Sequence, residues 1–139
     1  MSEQWADQAG SSAKERLNIE TVLLGILPTQ RALLHERIEY RFDQMLGAGF
    51  LDEVRTLHSR SDLHEDLPSI RAVGYRQGWQ FLAGEIDAQA MRDKAIVATR
   101  QLAKRQMTWM RQWPGLESCV TDQPEEVAKR AVEHLAFSN

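Results

Sequence analysis

The longest uninterrupted helical pattern in the chain runs from Asp87, a good N-cap, to about Trp113, where Pro114-Gly115 ends it. A rod of that length must bury one side and leave the other to solvent or to a partner. With Arg100 at zero on a wheel advancing about 100° per residue, Arg111 falls near 20° and Lys104 near 40°, beside Gln101 and Thr108. Met91, Ala95, Ala98, Leu102, Trp109 and Trp113 gather at roughly 160° to 220°, which predicts the buried side. From Arg100 to Arg111 there are four basic residues and no acid. Such a row suits phosphate tracking, because cations neutralise backbone charge while neutral donors fix register. The alternative is a solvated helix face. Arg105 lies near the edge of the apolar side, where a structural ion pair is expected.

The bulk properties narrow the classes. The 139 residues suit a single domain, and 42% hydrophobic with 27% charged residues is an ordinary globular balance. Val22-Leu23-Leu24-Gly25-Ile26-Leu27, the longest apolar run, is too short to cross a bilayer. The start, Met1-Ser2-Glu3-Gln4-Trp5, lacks the pattern of a secretory signal. A lone cysteine, Cys119, makes no internal disulfide, so a cytoplasmic setting is expected. The net charge of -3 argues against a protein that coats nucleic acid everywhere, yet it permits a local basic surface.

Along the chain, residues 1–18 read as a loosely held leading segment, and Ile19 to Leu27, closed by Pro28, suits a strand buried on both faces, with a helix as the alternative that pattern leaves open. Thr29 is the expected N-cap of a helix to about Leu46, with Leu34, Ile38, Phe42 and Met45 on its buried face. A second helix spans Phe50 to Arg60, with Asp52 and Glu53 in its acid-favouring first turn. Ser61 to Pro68 is a polar loop. Ser69 to Leu82 reads as a helix interrupted at Gly74 and Gly78. Leu116 to Thr121 suits a short strand, and Asp122 precedes a last helix with Pro124 in its first turn. The expected fold is a mainly α-helical fragment with about two short strands. Parallel strands need neighbours, so these two imply a larger sheet.

Three local features bear on chemistry. Arg71-Ala72-Val73-Gly74-Tyr75-Arg76 places two arginines and a tyrosine around a glycine. Arginines there suit phosphates and the ring an unpaired base; the alternative is a kinked helix with Tyr75 packed and the arginines exposed. Arg41 borders the Leu34/Met45 stripe, so it should be partly buried and need an anion, from an internal acid or a substrate. His64-Glu65-Asp66 reads as plain surface. His35, His58, His64 and His134 have no metal-ligand spacing, and no Gly-x-x-x-x-Gly-Lys-Ser/Thr occurs.

Four segments resemble the tRNA dimethylallyltransferase (isopentenyltransferase) family. They are Glu20-Thr21-Val22-Leu23-Leu24-Gly25-Ile26-Leu27-Pro28, Arg37 to Leu46 with Gly49 to Val54, Asp66 to Gln77, and Ala98 to Arg111. The run Arg100-Gln101-Leu102-Ala103-Lys104-Arg105-Gln106-Met107-Thr108-Trp109 is the most specific of these. The resemblance implies a bacterial enzyme that moves a dimethylallyl group from its diphosphate to N6 of adenosine 37 in the anticodon loop. It also implies a P-loop-type nucleotide-binding α/β core with magnesium, and a target base flipped into a channel. By the same resemblance, Arg71, Ala72, Val73, Gly74, Tyr75 and Arg76 contact the tRNA. So do Lys104, Arg105, Gln106, Met107, Thr108, Trp109, Met110 and Arg111, alongside the Arg100 of the wheel, while Arg41 helps bind the diphosphate.

The family's P-loop and catalytic aspartate have no counterpart in these residues, so the chain reads as the C-terminal portion of a longer enzyme, one domain over 1–139. Alone it is expected to be inactive, to bind no magnesium and to hold tRNA weakly. The intact family implies a monomer; the fragment, with apolar surface exposed, is expected to dimerise or dissolve poorly. Two other readings stay open. One is a free-standing helical RNA-binding module without chemistry; the other is a protein-interaction domain whose cations are ordinary surface.

Overall fold

A computed structural model describes residues 23–137. The chain is mostly helical, with two short parallel strands. It divides into one unit of residues 28–109 and a second made of the residues on either side. The expected leading segment, residues 1–18, lies outside the described residues.

The first unit holds α1 (Arg31–Gly47), α2 (Phe50–His58), α3 (Tyr75–Leu82) and most of α4 (Ala88–Gln112). Phe42, Phe50, Val54, Met91, Ala95 and Ile96 form its core, with Ile38, Met45, Leu46, Tyr75 and Phe81 packed around them. The helical spacing of Ile38, Phe42 and Met45 is what turns one side of α1 inward. Phe50 sits between Phe42 and Tyr75, meeting both edge-on at centroid distances of 6.1 and 5.3 Å. That geometry suits the ring quadrupoles.

Local chemistry sets the boundaries. Asp87 accepts the Ala90 N–H at 2.7 Å, capping the start of α4 as its sequence position predicts. The start of α1 differs from expectation: its N-cap is Gln30, not Thr29. The interrupted helix expected from Ser69 is also shorter. Residues 66–74 form turns, and helix begins only at Tyr75. Gly74 explains the break, because its φ of +92° is incompatible with a right-handed helix. Gly78 has a different task. A Cβ placed there would lie 3.2 and 3.3 Å from the two γ carbons of fully buried Val54, so α2 and α3 pack backbone to side chain.

The wheel of α4 holds for Met91 and Ala95 and fails farther along the helix. Its buried residues are Met91, Ala95 and Ile96, with Arg92, Thr99 and Arg100 half-buried beside them. Leu102 and Trp109, expected in the core, are 36% and 58% exposed. On the wheel Leu102 and Trp109 share the side of Met91 and Ala95, so the apolar stripe is covered along the first half of α4 and exposed farther along. Hydrophobicity marks what can be buried; the neighbouring helices decide what is.

In the second unit β1 (Leu23–Leu27) pairs in parallel with β2 (Leu116–Val120), in register Leu23 to Leu116 through Leu27 to Val120. The Thr121 N–H extends the ladder to the Leu27 carbonyl at 3.0 Å. The strand expected to be buried is only partly so among the described residues, since Leu23 and Ile26 of β1 are exposed, as is Val120 of β2. Cys119 is buried. The last helix, α5 (Pro124–Phe137), opens with proline at its first position, where the missing N–H costs nothing. Just before it, the Thr121 hydroxyl accepts the Gln123 N–H at 3.0 Å.

Candidate nucleic-acid interface

The turn leading into α3 presents its two arginines outward. Arg71 and Arg76 are exposed or half-exposed to either side of the turn, while Gly74 between them is buried. The Gly74 N–H donates to the buried Gln77 side chain at 2.9 Å, so the turn is fixed from within the helix it starts. A Cβ on Gly74 would approach the Phe50 ring at 3.4 Å. The glycine therefore serves packing as well as backbone shape. Ala72 is exposed and Val73 half-buried on the same turn.

Tyr75 is not displayed for stacking. Its ring is half-buried against Phe50, and its hydroxyl donates to the Glu53 carboxylate. That acceptor, with partial burial, holds the phenol above its ordinary ionisation range. The packed Tyr75 of the alternative is what the structure shows, although the chain turns at Gly74 where a kinked helix was expected.

Beside the turn lies a hollow of about 270 Å³, lined by Glu65, Asp66, Arg71, Arg76, Trp79 and Gln80 among others. Trp79 is buried and its ring meets that of His58 at 4.5 Å, which makes a firm wall. Glu65 and Asp66 are exposed, as expected, and also line this hollow. Asp66 opens one of the four segments carrying the resemblance, and that was the available signal.

On α4, Lys104, Arg105, Gln106, Thr108 and Arg111 are exposed, Met107 and Met110 half-buried, and Trp109 exposed. Among the described residues Lys104, Arg105 and Arg111 form no ion pair, so the structural partner expected for Arg105 is not there. Arg100 differs from its neighbours. It is half-buried and donates to Glu39 of α1, and its Nε is buried without an acceptor. Arg100 lies one turn beyond buried Ile96, whose side of α4 is packed as well, and this corrects its expected place opposite the core. Glu39 was invisible as a partner because it lies 61 residues away in sequence.

Arg41, expected to be partly buried, is exposed. It precedes Phe42 on α1, and one residue of helix is about 100° of rotation, enough to carry it off the Phe42 side. Among the described residues it too has no ion pair. No group of three His, Cys, Asp or Glu side chains comes together among the described residues. The described residues offer no such cluster to the magnesium that the resemblance implies.

Comparison with known proteins decides the family. The IPP transferase family model matches residues 1–113. The chain belongs to the IPP transferase family. It is 51% identical over 128 residues to the tRNA dimethylallyltransferase of Thioalkalivibrio sulfidiphilus, covering 91% of this chain and 40% of that protein. The tRNA dimethylallyltransferase of Chromohalobacter salexigens is 50% identical over 132 residues, with 93% and 41% covered. The chain thus spans about two fifths of the length of the curated relatives it matches. The full-length tRNA isopentenylpyrophosphate transferase of Bacillus halodurans superposes with a TM-score of 0.75 at 27% identity, over 84% of this chain and 38% of that one. A tRNA isopentenylpyrophosphate transferase from Staphylococcus epidermidis gives 0.76 at 26%, over 92% and 43%.

Proposed function

We propose that this chain is the tRNA-contacting C-terminal portion of a tRNA dimethylallyltransferase, which transfers a dimethylallyl group from its diphosphate to N6 of adenosine 37. The observation that carries this reading is a set of surface cations that form no ion pair among the described residues. Arg71 and Arg76 flank the Gly74 turn, and Lys104, Arg105 and Arg111 stand on α4. Several other arginines are paired with acids, as in Arg60–Asp62 and Arg92–Asp43.

Each residue has a stated task. The five cations neutralise phosphates of the anticodon stem-loop and release counterions. Gln106 and Thr108 supply neutral donors that fix register, and the exposed Trp109 indole offers a surface to a base. Arg100 instead holds α4 to α1 through Glu39. Arg41 stands on α1 for the diphosphate of the prenyl donor, where a guanidinium matches phosphate geometry. Transfer itself is assigned outside these 139 residues, since they hold no P-loop motif.

The test has two arms. Anisotropy of a labelled anticodon stem-loop should show binding by the 139-residue chain that weakens steeply with salt; no binding at low salt contradicts the reading. Incubation of the same chain with dimethylallyl diphosphate and stem-loop should yield no prenylated RNA. Measurable product would move the chemistry into this chain.

A further inference from the structure

The hollow beside α3 holds opposite charges that do not neutralise one another. Glu65 and Asp66 share its wall with Arg71 and Arg76, yet neither acid pairs with either arginine within 4.0 Å. Nearby, Arg55 pairs with Asp52 and Arg60 with Asp62. Buried Trp79 lines the same concavity as the acids and the arginines. Both keep their hydrogen-bonding capacity for something placed between them.

We propose that this hollow is a base-reading subsite for one unstacked nucleotide of the RNA loop, a base bearing an exocyclic amine, distinct from the adenosine that is modified. The proposal rests on the RNA reading above. A volume of about 270 Å³ lies just below the roughly 300 Å³ at which small-molecule sites begin, so it admits a single base and little more. Ionised carboxylates only accept hydrogen bonds, so Glu65 and Asp66 call for donors such as the amine of cytosine or adenine. Uracil meets them with carbonyl oxygens on both sides of its one N–H and is disfavoured. The carboxylates also repel phosphate, which turns the sugar-phosphate backbone toward Arg71 and Arg76. Gln80 adds an amide able to donate or accept. Orientation and base class are thereby set by the same four charges. Sequence-specific RNA recognition uses splayed bases read on their edges in just this way.

The experiment measures affinity of the 139-residue chain for stem-loops in which each amine-bearing loop base is replaced in turn by its amine-free counterpart, uridine for cytidine and purine riboside for adenosine. At one position other than the modified adenosine, the change should weaken binding by about 5- to 100-fold, the range of one good edge contact. In Glu65→Ala/Asp66→Ala that penalty should vanish, while Arg71→Ala and Arg76→Ala should weaken all stem-loops alike. Thermal unfolding of each variant confirms that the substitutions leave the fold intact. Equal binding at every other position, or a penalty that survives loss of both acids, overturns the subsite alone. Failure to bind any stem-loop overturns the RNA reading and the subsite with it.

Discussion

Asp43 of α1 and Arg92 of α4 meet in a two-point fork, Nε to Oδ1 at 2.6 Å and Nη2 to Oδ2 at 2.8 Å. One turn back along α1, Glu39 takes Arg100 of the same partner helix. Two acids and two arginines thus join the helix that carries Arg41 to the helix that carries Lys104. The planar guanidinium is what makes the fork possible.

The Arg92 hydrogen bond holds the Asp43 carboxyl below its ordinary value of 3.8. A carboxylate depressed in the folded state contributes stability above its unfolded pKa and loses it as pH falls through the folded one. The melting temperature of the wild type should therefore fall more steeply below about pH 4 than that of Asp43→Asn. Both groups are partly exposed, so the difference should be small and should shrink in high salt. Identical acid limbs would refute the link.

Gly74→Ala should destabilise the chain by about 1–3 kcal/mol, the usual cost of a residue held in a sparsely allowed backbone region. Its φ of +92° acts together with the Phe50 ring, which would stand 3.4 Å from the added Cβ. Urea denaturation measures the loss. A variant as stable as wild type would mean that the turn relaxes.

Gly78 and Val54 should be coupled. Gly78→Ala forces a methyl against both γ carbons of Val54, and overpacking of this kind costs about 1–3 kcal/mol. Removing those carbons with Val54→Ala should make the second substitution far better tolerated. A double-mutant cycle reads the effect directly. Strict additivity would show that α2 and α3 separate instead of clashing.

Met91 is 1% exposed at the centre of the helical core. Met91→Ala should cost about 2–5 kcal/mol by denaturation, transfer and cavity terms combined. A loss well under that range would mean that α4 closes the gap.

Helices and caps were legible in the sequence because their causes are local. Asp87 caps from three residues away, and Pro114-Gly115 stops α4 where it stands. How far along α4 its apolar side is covered was not legible, since Leu102 and Trp109 are as apolar as any core residue and only the packed neighbours show that they stay outside. The two cross-helix ion pairs were equally hidden, their partners being 49 and 61 residues apart. Tyr75 beside a glycine and two arginines suggested stacking, but Glu53, 22 residues earlier, takes its hydroxyl. Local signals placed the surface arginines; nothing local showed that Glu65 and Asp66 would face the same hollow.

If the cations of α4 meet an RNA backbone, their removal must change how binding responds to salt. Stem-loop affinity measured from low to moderate salt, for wild type, Lys104→Ala/Arg111→Ala and Arg100→Ala, tests this most directly. Each lost phosphate contact on single-stranded RNA removes roughly 0.7 from the slope of log K against log salt, so the double variant should lose about 1.4. Arg100→Ala should lower the melting temperature and leave the slope unchanged, because that guanidinium is engaged by Glu39. A double variant whose line runs parallel to wild type would contradict the account.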